Sequence, residues 1–482
     1  MSFIRKVKTT SGATAVQIAQ KHYGRITRID HIGSAHTEAD LATLLSLAKQ
    51  RLLAGQQSLF SENASQLKIS LKSSVSQLLL QVLTKQYNHL GFDKLQDEIF
   101  TYLCLSRIVE PTSKLDSLRV LTELGINGLS KNRLYRCLGE IIEKDYRGII
   151  EEQCFSHAET KGLSLILYDV TTLYFEVQIE DDYRKPGMSK ERRLEPQIIV
   201  GLLVDQSGFP LGLHSFTGNT AETTTIVPVI EAFKQQHALT DITVVADAGM
   251  LSQKNMESLT AAGYTYIVGS RLNKIPYDIA QYQKSKELVN NQSITTNLGE
   301  HQRVIYQYRE KRAALDRRNI EKQIAKAERI LSGKTPVKKT KFLHVTTKEK
   351  KLNLALIDKA KALAGIKGYV TNLTIPDEQI ITSYHQLWHV EQSFRMSKSD
   401  LKARPIFHHK RDSIEAHLTI VFAALAIGKT IERLTGMSIK RFVHTIKPIR
   451  SGIVTINGKE YLAEAEIPSG VISIVDKLKT GH

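Results

Sequence analysis

Two short apolar runs, each followed directly by an aspartate, constrain the fold of this chain more than any other feature. The runs cover 163–168, before Asp169, and 242–246, before Asp247. Both are rich in leucine or β-branched residues and end abruptly, which is typical of buried β-strands. An aspartate at the end of such a strand costs free energy unless its carboxylate is paired or bound to a metal. The pattern therefore predicts two functional carboxylates at strand ends.

The residues around these runs alternate between strand and helix patterns. Strands are predicted at 163–169, 197–205, 211–217, 242–246 and 264–269, and helices at 222–236 and 252–262. Three strands, a helix, a strand, a helix and a strand is the order of a ribonuclease H-like α/β core. Further helical patterns at 377–401 and 412–435 would complete that core. The fold class predicted is therefore α/β.

A long segment, 273–366, separates the last strand of this core from its closing helices. It is too long to be a loop, so we expect an inserted unit. Between Glu310 and Lys351 it holds fourteen Lys or Arg residues against five Asp or Glu. Apolar residues recur at helical spacing from 310 to 331, which predicts an amphipathic helix with a basic outer face. That face is either simply solvated or a contact surface for DNA, and both interpretations stay open.

The charge of the whole chain is strongly positive. Its 482 residues include 66 Lys or Arg and 49 Asp or Glu, a net charge of +17. This excess favours a polyanionic partner, because each phosphate that is neutralised releases counterions. An anionic membrane surface would be attracted as well, and improved solubility is a further explanation. Three widely separated cysteines indicate neither a zinc site nor a disulfide framework, and they suit a reducing cytoplasm.

The residues before the core divide into a mixed segment, 1–70, and a mainly helical region, 71–160. Within the helical region we expect a helix at 113–124, a turn at 125–128 and a helix at 131–144 with Ser130 as its N-cap. The second helix begins Lys-Asn-Arg-Leu-Tyr-Arg, which is the composition of a DNA-reading helix. Two packed helices with a solvated basic face explain the pattern equally well. The remaining divisions are a catalytic domain in two parts (161–272 and 367–436), the basic insertion between them, and a C-terminal segment (437–482).

A third acidic residue, Glu391, lies in a helical pattern that runs from Tyr384 to Lys398. Tyr384, Glu391 and Lys398 are seven residues apart, so each is rotated by only about 20° from the last on a regular helix. Arg395, four residues after Glu391, shares this face. A phenol, a carboxylate and two cations would suit a metal ligand flanked by phosphate donors. On spacing alone, an incidental polar face is the better explanation.

Three carboxylates in a basic chain suit phosphodiester chemistry. Two Mg²⁺ ions about 4 Å apart can activate the attacking oxygen and stabilise the leaving oxygen. Mg²⁺ prefers carboxylate oxygens and leaves its other positions to water and phosphate. The charges of three carboxylates, two metal ions and one phosphate sum to zero. We therefore predict Asp169, Asp247 and Glu391 as catalytic and metal-binding residues, with two Mg²⁺ as cofactor and Mn²⁺ as a possible substitute.

The stretch from Tyr384 to Lys398 resembles the Tyr-x2-Arg-x3-Glu-x6-Lys signature of DDE transposases from bacterial insertion sequences. Its first, third and fourth positions match, whereas Leu387 stands where the family has arginine. The sequences 168–172 and 247–250 are similar to the two aspartate motifs of the family, and 208–211 and 218–222 also resemble it. The resemblance covers about 163 to 430.

This resemblance implies a cut-and-paste transposase. Water would attack the phosphodiester bond at the end of the element, and the released 3′-hydroxyl would then attack target DNA. Asp169, Asp247 and Glu391 would hold two Mg²⁺. Tyr384 and Lys398 would position the phosphate, and Arg395 would replace the missing arginine. The implied partner is double-stranded DNA, as element ends and as target, bound by a homodimer. No membrane is expected, and the protein would lie in the bacterial cytoplasm, associated with the nucleoid when active.

A basic loop and two rival functions complete the expectations. Lys190, Arg192 and Arg193 lie in a predicted loop between the first two strands, where they would contact the DNA backbone or simply be solvated. The first rival is a nuclease or resolvase of the same fold that cuts without joining. The second is a DNA-binding regulator with no catalytic activity.

Overall fold

The computed structural model describes most of the chain in two compact units. The described residues are 2–9, 12–53, 69–160, 163–176, 179–187, 195–239, 242–250, 252–270, 272, 276–336, 340–345 and 350–479. Lys190, Arg192 and Arg193 lie outside them, so their DNA contacts stay a prediction. The smaller unit is Met1–Ile69 with Ile456–Gly458, and the larger unit is Ser70–Thr455 with Lys459–His482.

The smaller unit is an antiparallel sheet covered by one helix. Its strands are β1 (Ser2–Lys8), β2 (Thr14–His22) and β3 (Arg25–Ala35), in that order, followed by α1 (Glu38–Leu53). Val16 and Ile18 of β2 pack with Ala48 of α1 to form a small apolar core. The helix spans the residues over which the sequence shows a helical pattern.

The elements from residue 69 onward form a helical part, a large sheet and the helices that cover it. The helical part comprises β4 (Ile69–Val75), α2 (Gln77–His89), α3 (Glu98–Val109), α4 (Ser117–Glu123), α5 (Lys131–Glu143) and α6 (Tyr146–Glu159). The first part of the sheet and its helices are β5 (Leu165–Tyr174), β6 (Gln197–Val204), β7 (Pro210–Thr217), α7 (Ile226–His237), β8 (Thr243–Ala246), α8 (Gln253–Ala261) and β9 (Thr265–Ser270).

The elements that follow β9 return to the same sheet and then close the unit. They are α9 (Tyr277–Ser285), β10 (Ser293–Asn297), β11 (Arg303–Tyr308), α10 (Glu310–Leu331), β12 (Leu343–Val345), β13 (Lys350–Leu352), α11 (Leu354–Ala362) and β14 (Ile366–Thr371). The closing elements are α12 (Asp377–His385), α13 (Trp388–Arg395), a π-helical turn (Met396–Asp400), α14 (Arg411–Thr435), α15 (Ile439–Ile446), β15 (Ser451–Ile456), β16 (Lys459–Ala463) and α16 (Ser469–Lys479).

The predicted helix–turn–helix elements are present in the helical part. Gly125 and Gly128, between α4 and α5, have φ angles of +97° and +78°, which glycine adopts without strain. The side chain of Ser130 accepts a hydrogen bond from the backbone N–H of Arg133 at 3.4 Å, so it caps α5 as expected. Whether α5 reads DNA stays a prediction.

The central sheet is mixed and mostly antiparallel, so the chain has an α/β fold of mixed strand direction. Its eight strands lie in the order β10-β11-β14-β9-β8-β5-β6-β7. Only the pairs β5–β8 and β8–β9 are parallel. All eight residues of β6 are buried, because helices cover both faces of the sheet there.

The segment predicted as an insertion contributes to this sheet as well as standing beside it. β10 and β11 extend the sheet from β14, through antiparallel pairs. The helices α10 and α11 pack together, with Ile320, Phe342 and Ile357 in a separate apolar core. As a result, the basic helix α10 stands close to the strands that carry the candidate site.

One long helix, α14, lies in the centre of the larger unit. Of the described helices, it is the one long and apolar enough to cross a membrane, with a mean hydropathy of 1.5 in its most apolar window. However, 89% of that window is buried inside the protein, against α2, α3, α5 and α6. It is therefore a core helix of the larger unit.

Candidate active site

Two neighbouring strands bring Asp169 and Asp247 side by side. In the parallel pair β5–β8, Tyr168 is opposite Ala246, so the next residue on each strand is one of the two aspartates. The sequence led us to expect β5 to end at Asp169, and this was wrong. β5 continues to Tyr174, because the residues after Asp169 pair with β6. The strand that ends here is β8, which leaves Asp247 at the edge of an open cleft.

Asp169 is half-buried within β5. Its Oδ1 accepts a hydrogen bond of 2.8 Å from the backbone N–H of Val170. Thr171 lies two residues along the strand and therefore on the same face of the sheet. The Oγ1 of Thr171 accepts a hydrogen bond from the Nζ of Lys398. One of the predicted phosphate-positioning cations thus lies next to a predicted catalytic carboxylate.

Asp247 is exposed and is oriented by a buried tyrosine. The hydroxyl of Tyr384, on α12, donates a hydrogen bond of 2.9 Å to Oδ1 of Asp247. Tyr384 is only 4% exposed. Burial raises the pKa of its hydroxyl far above the ordinary value, and the nearby Asp247 carboxylate raises it further. The hydroxyl therefore keeps its proton and acts as a fixed donor to the carboxylate.

A glycine on β9 makes room for this contact. A Cβ atom at Gly269 would lie 2.6 Å from the hydroxyl oxygen of Tyr384, which is closer than real Cβ contacts. It would also lie 3.2 Å from the backbone nitrogen of Ala248. The Tyr384–Asp247 hydrogen bond therefore depends on a residue without a side chain at position 269.

The helix that carries Glu391 is interrupted, so the prediction of one regular helix from Tyr384 to Lys398 was wrong. The N–H groups of four residues bond to the carbonyl three residues back instead of four: Gln386, Leu387, His389 and Val390. This tightened stretch ends α12 at His385 and begins α13 at Trp388. The seven-residue spacing therefore does not place one polar face: Tyr384 points into the sheet, whereas Glu391 is exposed.

Glu391 lies on a helix that packs against the strand of Asp169, and among the described residues it forms no metal site with the two aspartates. Its helix α13 packs against β5 and β6, and Glu391 is in the first turn, where the helix dipole favours a negative charge. Burial lowers the pKa of Lys367, and the carboxylates of Asp247 and Glu391 both act against this shift. Within the described ranges, no three His, Cys, Asp or Glu side chains are arranged to hold a metal ion. The joint metal site stays a prediction.

Of the other predicted DNA contacts, Lys398 approaches the carboxylates and Arg395 faces a different helix. Lys398 lies in the π-helical turn, with its Nζ 5.9 Å from the centre of the Phe394 ring. Arg395 is exposed, and its charge acts on Glu432 of α14. Burial raises the pKa of Glu432, and the charge of Arg395 is one of the effects that oppose this shift. Leu387, which replaces the signature arginine, packs against the apolar core.

A cleft of about 620 Å³ beside Asp247 holds basic residues that the motifs did not identify. Lys367 of β14, Arg312 of α10 and Lys341 line it together with Asp247 and Tyr384. The Nζ of Lys367 lies 4.2 Å from the centre of the Tyr384 ring. Burial, followed by the charge of Arg312, lowers the pKa of Lys367, against the opposing effect of the carboxylates. The sequence pattern that could have identified Lys367 is its position as the charged residue of the strand 366–371.

Residues 148–427, more than half of the chain, match the family described as Transposase DDE domain. The chain belongs to the DDE transposase family. Members of this family are enzymes that cleave DNA and transfer strands, and they generally use divalent metal ions. The match includes both aspartate strands, the segment from 273 to 366 and the helix of Glu391. The DDE transposase fold thus contains every carboxylate singled out above.

Solved structures of two other transposases show a weak likeness to this DDE transposase. A piggyBac transposase synaptic complex with hairpin DNA is 11% identical, with a TM-score of 0.43, and covers 80% of this chain and 82% of that one. A Mos1 transposase paired-end complex with the left transposon end is 12% identical, with a TM-score of 0.17, and covers 47% and 66%. These scores are too low to carry an argument. None of the curated proteins matches the sequence.

Proposed function

We propose that this transposase cuts DNA at the ends of an insertion sequence of the bacterial type and transfers the 3′-hydroxyl into target DNA. The observation that carries the proposal is the pairing of Asp169 with Asp247 on adjacent parallel strands, beside a basic cleft. The hydrogen bond from Tyr384 to Asp247 supports it, since the signature tyrosine then has a defined role.

A ribonuclease H-like catalytic core is part of this proposal. Five neighbouring strands in the order β7-β6-β5-β8-β9, antiparallel on one side of β5 and parallel on the other, support it. The position of Asp169 on the central strand of these five and of Asp247 after its parallel neighbour is consistent with that core. The assignment to the Tyr-Arg-Glu-Lys branch is supported by three of the four signature positions, because Leu387 stands in place of the arginine.

We place Mg²⁺ as the metal, held by Asp169 and Asp247 and completed by Glu391. The donors fit, because Mg²⁺ takes carboxylate oxygens and usually binds one or two of them together with substrate phosphate oxygens. When bound, a pair of such ions activates the attacking oxygen and stabilises the leaving oxygen. Tyr384 holds the Asp247 carboxylate in one orientation, which a metal ligand requires.

The cations around the carboxylates would bind the scissile phosphate. Lys398 donates to Thr171 on the strand of Asp169, and Lys367 lines the cleft beside Asp247. The two lysines would neutralise phosphate oxygens while the carboxylates hold the reacting atoms. Double-stranded DNA as the partner, a homodimer that holds two ends, and a cytoplasmic, nucleoid-associated location belong to the same proposal.

A strand-transfer assay tests this function. The substrate is a duplex oligonucleotide copied from the DNA that flanks the gene, with a supercoiled plasmid as target and Mg²⁺ as cofactor. We expect cleavage and joining by the natural protein, and neither by Asp169→Asn, although Asp169→Asn still binds the duplex. Asp358→Asn, an exposed carboxylate on α11, is the matched control and should keep full activity.

The rivals give different results in the same assay. Cleavage without joined products would identify a nuclease or resolvase. Equal activity of Asp169→Asn and Asp358→Asn would show that the two-aspartate site is not the catalytic centre.

A further inference from the structure

A second cavity, of about 740 Å³, lies apart from the carboxylate cleft. Its walls come from the end of α3 and the loop after it, from α5, and from the loop 402–409 that leads into α14. The residues that matter below are Arg107, Lys114, Tyr135, Arg404, Phe407 and His417. Its volume is within the range of ordinary ligand sites.

Two cations that line this cavity are buried without a negative partner. Arg107 is 7% exposed and Lys114 is 5% exposed. Within the described part of the chain, no aspartate or glutamate pairs with either one. Burial lowers the pKa of Arg107 to about 10, and burial followed by the charge of Arg107 lowers the pKa of Lys114 well below its ordinary value. A bound anion would reverse both shifts and keep the two side chains charged. Fully buried Lys and Arg are rare unless they are paired, because removing a charge from water costs several kcal/mol. A cavity with two such cations in its wall is built for an anion.

Among the described residues, the polar partner of Lys114 is His417, which adds no negative charge. The Nζ of Lys114 lies 3.3 Å from Nδ1 of His417, and Nε2 of His417 lies 3.1 Å from the carbonyl oxygen of Ala403. A carbonyl can only accept, so Nε2 carries the proton and Nδ1 accepts from Lys114. His417 is therefore neutral. Burial and then the charges of Lys114 and Arg107 also lower the pKa of His408 to about 4, so that it too is neutral at pH 7.

Aromatic side chains stand at the mouth of the cavity. Phe407 is 66% exposed and Tyr135, on α5, is 47% exposed, so both rings are accessible from solvent. Stacking of bases on aromatic rings beside a basic groove is how proteins bind single strands of nucleic acid without a sequence preference. The cavity thus offers a phosphate site and a stacking surface next to each other.

The loop that lines the cavity also forms a hydrogen bond with the strand that carries Asp169. The backbone N–H of Ile406 donates to the carbonyl of Tyr174, the last residue of β5, at 3.1 Å. The guanidinium of Arg404 lies 5.3 Å from the centre of the Tyr174 ring. Tyr174 is five residues beyond Asp169, which is roughly 17 Å along a strand. The loop that lines the cavity therefore contacts the strand of Asp169 at a point that a few nucleotides of DNA could span from the carboxylate.

We infer that this cavity binds a phosphate of the DNA strand that extends from the cleavage site, on Arg107 and Lys114, with the adjoining base stacked against Phe407 and Tyr135. The choice of DNA rests on the proposed function. The buried cations by themselves call for a phosphate group, which free phosphate or a nucleotide would also supply.

The test measures affinity for a fluorescent single-stranded oligonucleotide, without divalent metal, using the full chain. Lys114→Met and Lys429→Met remove the same charge from a mostly buried position. Lys429 is the matched control because it lies 3.8 Å from the carboxylate of Glu432. We expect Lys114→Met to bind at least about fivefold more weakly, and Phe407→Ala to lose a similar factor, in line with one lost base stack. Lys429→Met should bind like the natural protein.

Thermal unfolding separates a ligand site from a structural lysine. Without added anions, Lys114→Met should unfold at a higher temperature than the natural protein, because it removes a buried amine that has no acidic partner and whose burial costs free energy. Inorganic phosphate should raise the unfolding temperature of the natural protein and not that of Lys114→Met. A lower unfolding temperature for Lys114→Met, with unchanged oligonucleotide affinity, would overturn the inference.

The remaining outcomes distinguish this inference from the proposed function. In one outcome, phosphate or a mononucleotide stabilises the protein, while the affinity for the oligonucleotide is the same in the Lys114 and Phe407 variants as in the natural protein. The cavity then binds a free anion, and the DNA assignment is wrong. If Lys114 governs oligonucleotide affinity but the strand-transfer assay gives no product, the proposed function fails and the cavity assignment stands.

Discussion

At the scale of single residues, the contact that organises the site is the hydrogen bond from Tyr384 to Asp247. A carboxylate on an exposed loop rotates freely, whereas a metal ligand has to keep one orientation. Tyr384 supplies this restraint from a buried position, and because burial and the Asp247 carboxylate raise the pKa of its hydroxyl, it keeps its proton and donates at neutral pH. In the proposed mechanism, the tyrosine is thus a positioning residue that acts through Asp247.

Replacing Tyr384 by phenylalanine should lower the rate of DNA cleavage by roughly 10- to 100-fold, the usual effect of losing a group that orients a metal ligand. DNA affinity should not change. The control is Tyr369→Phe: its hydroxyl is buried next to Tyr384 and has no hydrogen-bond partner among the described residues, so its removal should be neutral. Single-turnover cleavage compares the two, and equal rates would contradict the assigned role.

The buried carboxyl of Glu151, on α6, should make stability depend on pH. Burial raises its pKa to about 7 from 4.5, although its Oε1 accepts a hydrogen bond of 2.8 Å from the N–H of Leu213. Because the folded state binds this proton more tightly than the unfolded chain, the stabilisation is complete below about pH 4.5. It is lost as the pH rises to about 7, by up to ~3 kcal/mol.

Urea unfolding of the natural protein and of Glu151→Gln between pH 4.5 and 8 measures this effect. The natural protein should lose stability relative to Glu151→Gln as the pH rises, since the amide does not titrate. Glu143→Gln, an exposed residue of α5, should follow the natural protein. Parallel curves for all three proteins would show that Glu151 is not buried in the protonated form.

The sequence is sufficient to single out Asp169 and Asp247, because an apolar run followed by a polar residue is a local pattern. Lys367 and Gly269 are different. Their importance comes from a distance of a few ångströms to Tyr384, which the fold creates from distant parts of the chain. The same holds for Arg107 and Lys114. That both are buried without an acidic partner among the described residues becomes apparent only in three dimensions.

At the scale of secondary-structure elements, strand and helix positions follow from local periodicity, while their ends depend on neighbours. β5 runs five residues past Asp169 because an antiparallel partner, β6, continues there. The interruption between α12 and α13 could not be predicted from a helix-breaking Pro or Gly, because the residues there are Gln386 and Leu387. It arises where α12 packs on β8, β9 and β14 and α13 turns to β5 and β6.

The close approach of α12 to β9 gives a test at this scale. Gly269→Ala should displace the Tyr384 ring, because its Cβ would lie 2.6 Å from the hydroxyl oxygen. We expect cleavage to fall about as far as in Tyr384→Phe, with the fold retained. Gly139→Ala, inside α5 with no atom within 4 Å of the added Cβ, should instead stabilise the protein by about 1 kcal/mol. Activity of Gly269→Ala at the natural level would contradict the close packing of α12 on β9.

At the scale of the whole molecule, the positive charge is concentrated where the proposed DNA path lies. The segment predicted as an insertion is basic, and it brings Arg312 and Lys341 to the cleft beside Asp247. Sequence reasoning identified its charge and its main helix. It did not show that β10 and β11 would extend the catalytic sheet, because strand pairing between distant segments is not encoded in local periodicity.

The salt dependence of DNA binding tests the role of α10. Replacing Arg318 and Lys322, both exposed on this helix, by glutamine should reduce the slope of log affinity against log salt by about 0.9 for each phosphate that is no longer neutralised. Replacing Arg25 and Lys49 of the smaller unit removes the same charge and is the control. Equal slopes for the two double variants would mean that α10 does not bind the DNA backbone.

The convergence of Asp169, Asp247 and Glu391 on shared metal ions is measured most directly by anomalous scattering from Mn²⁺ in crystals of the protein bound to DNA. We predict two Mn²⁺ peaks about 4 Å apart, with oxygens of both aspartates within about 2.2 Å of a metal and Glu391 completing the site. Metal bound elsewhere, or no oxygen of Glu391 within reach of either ion in the DNA complex, would contradict the account.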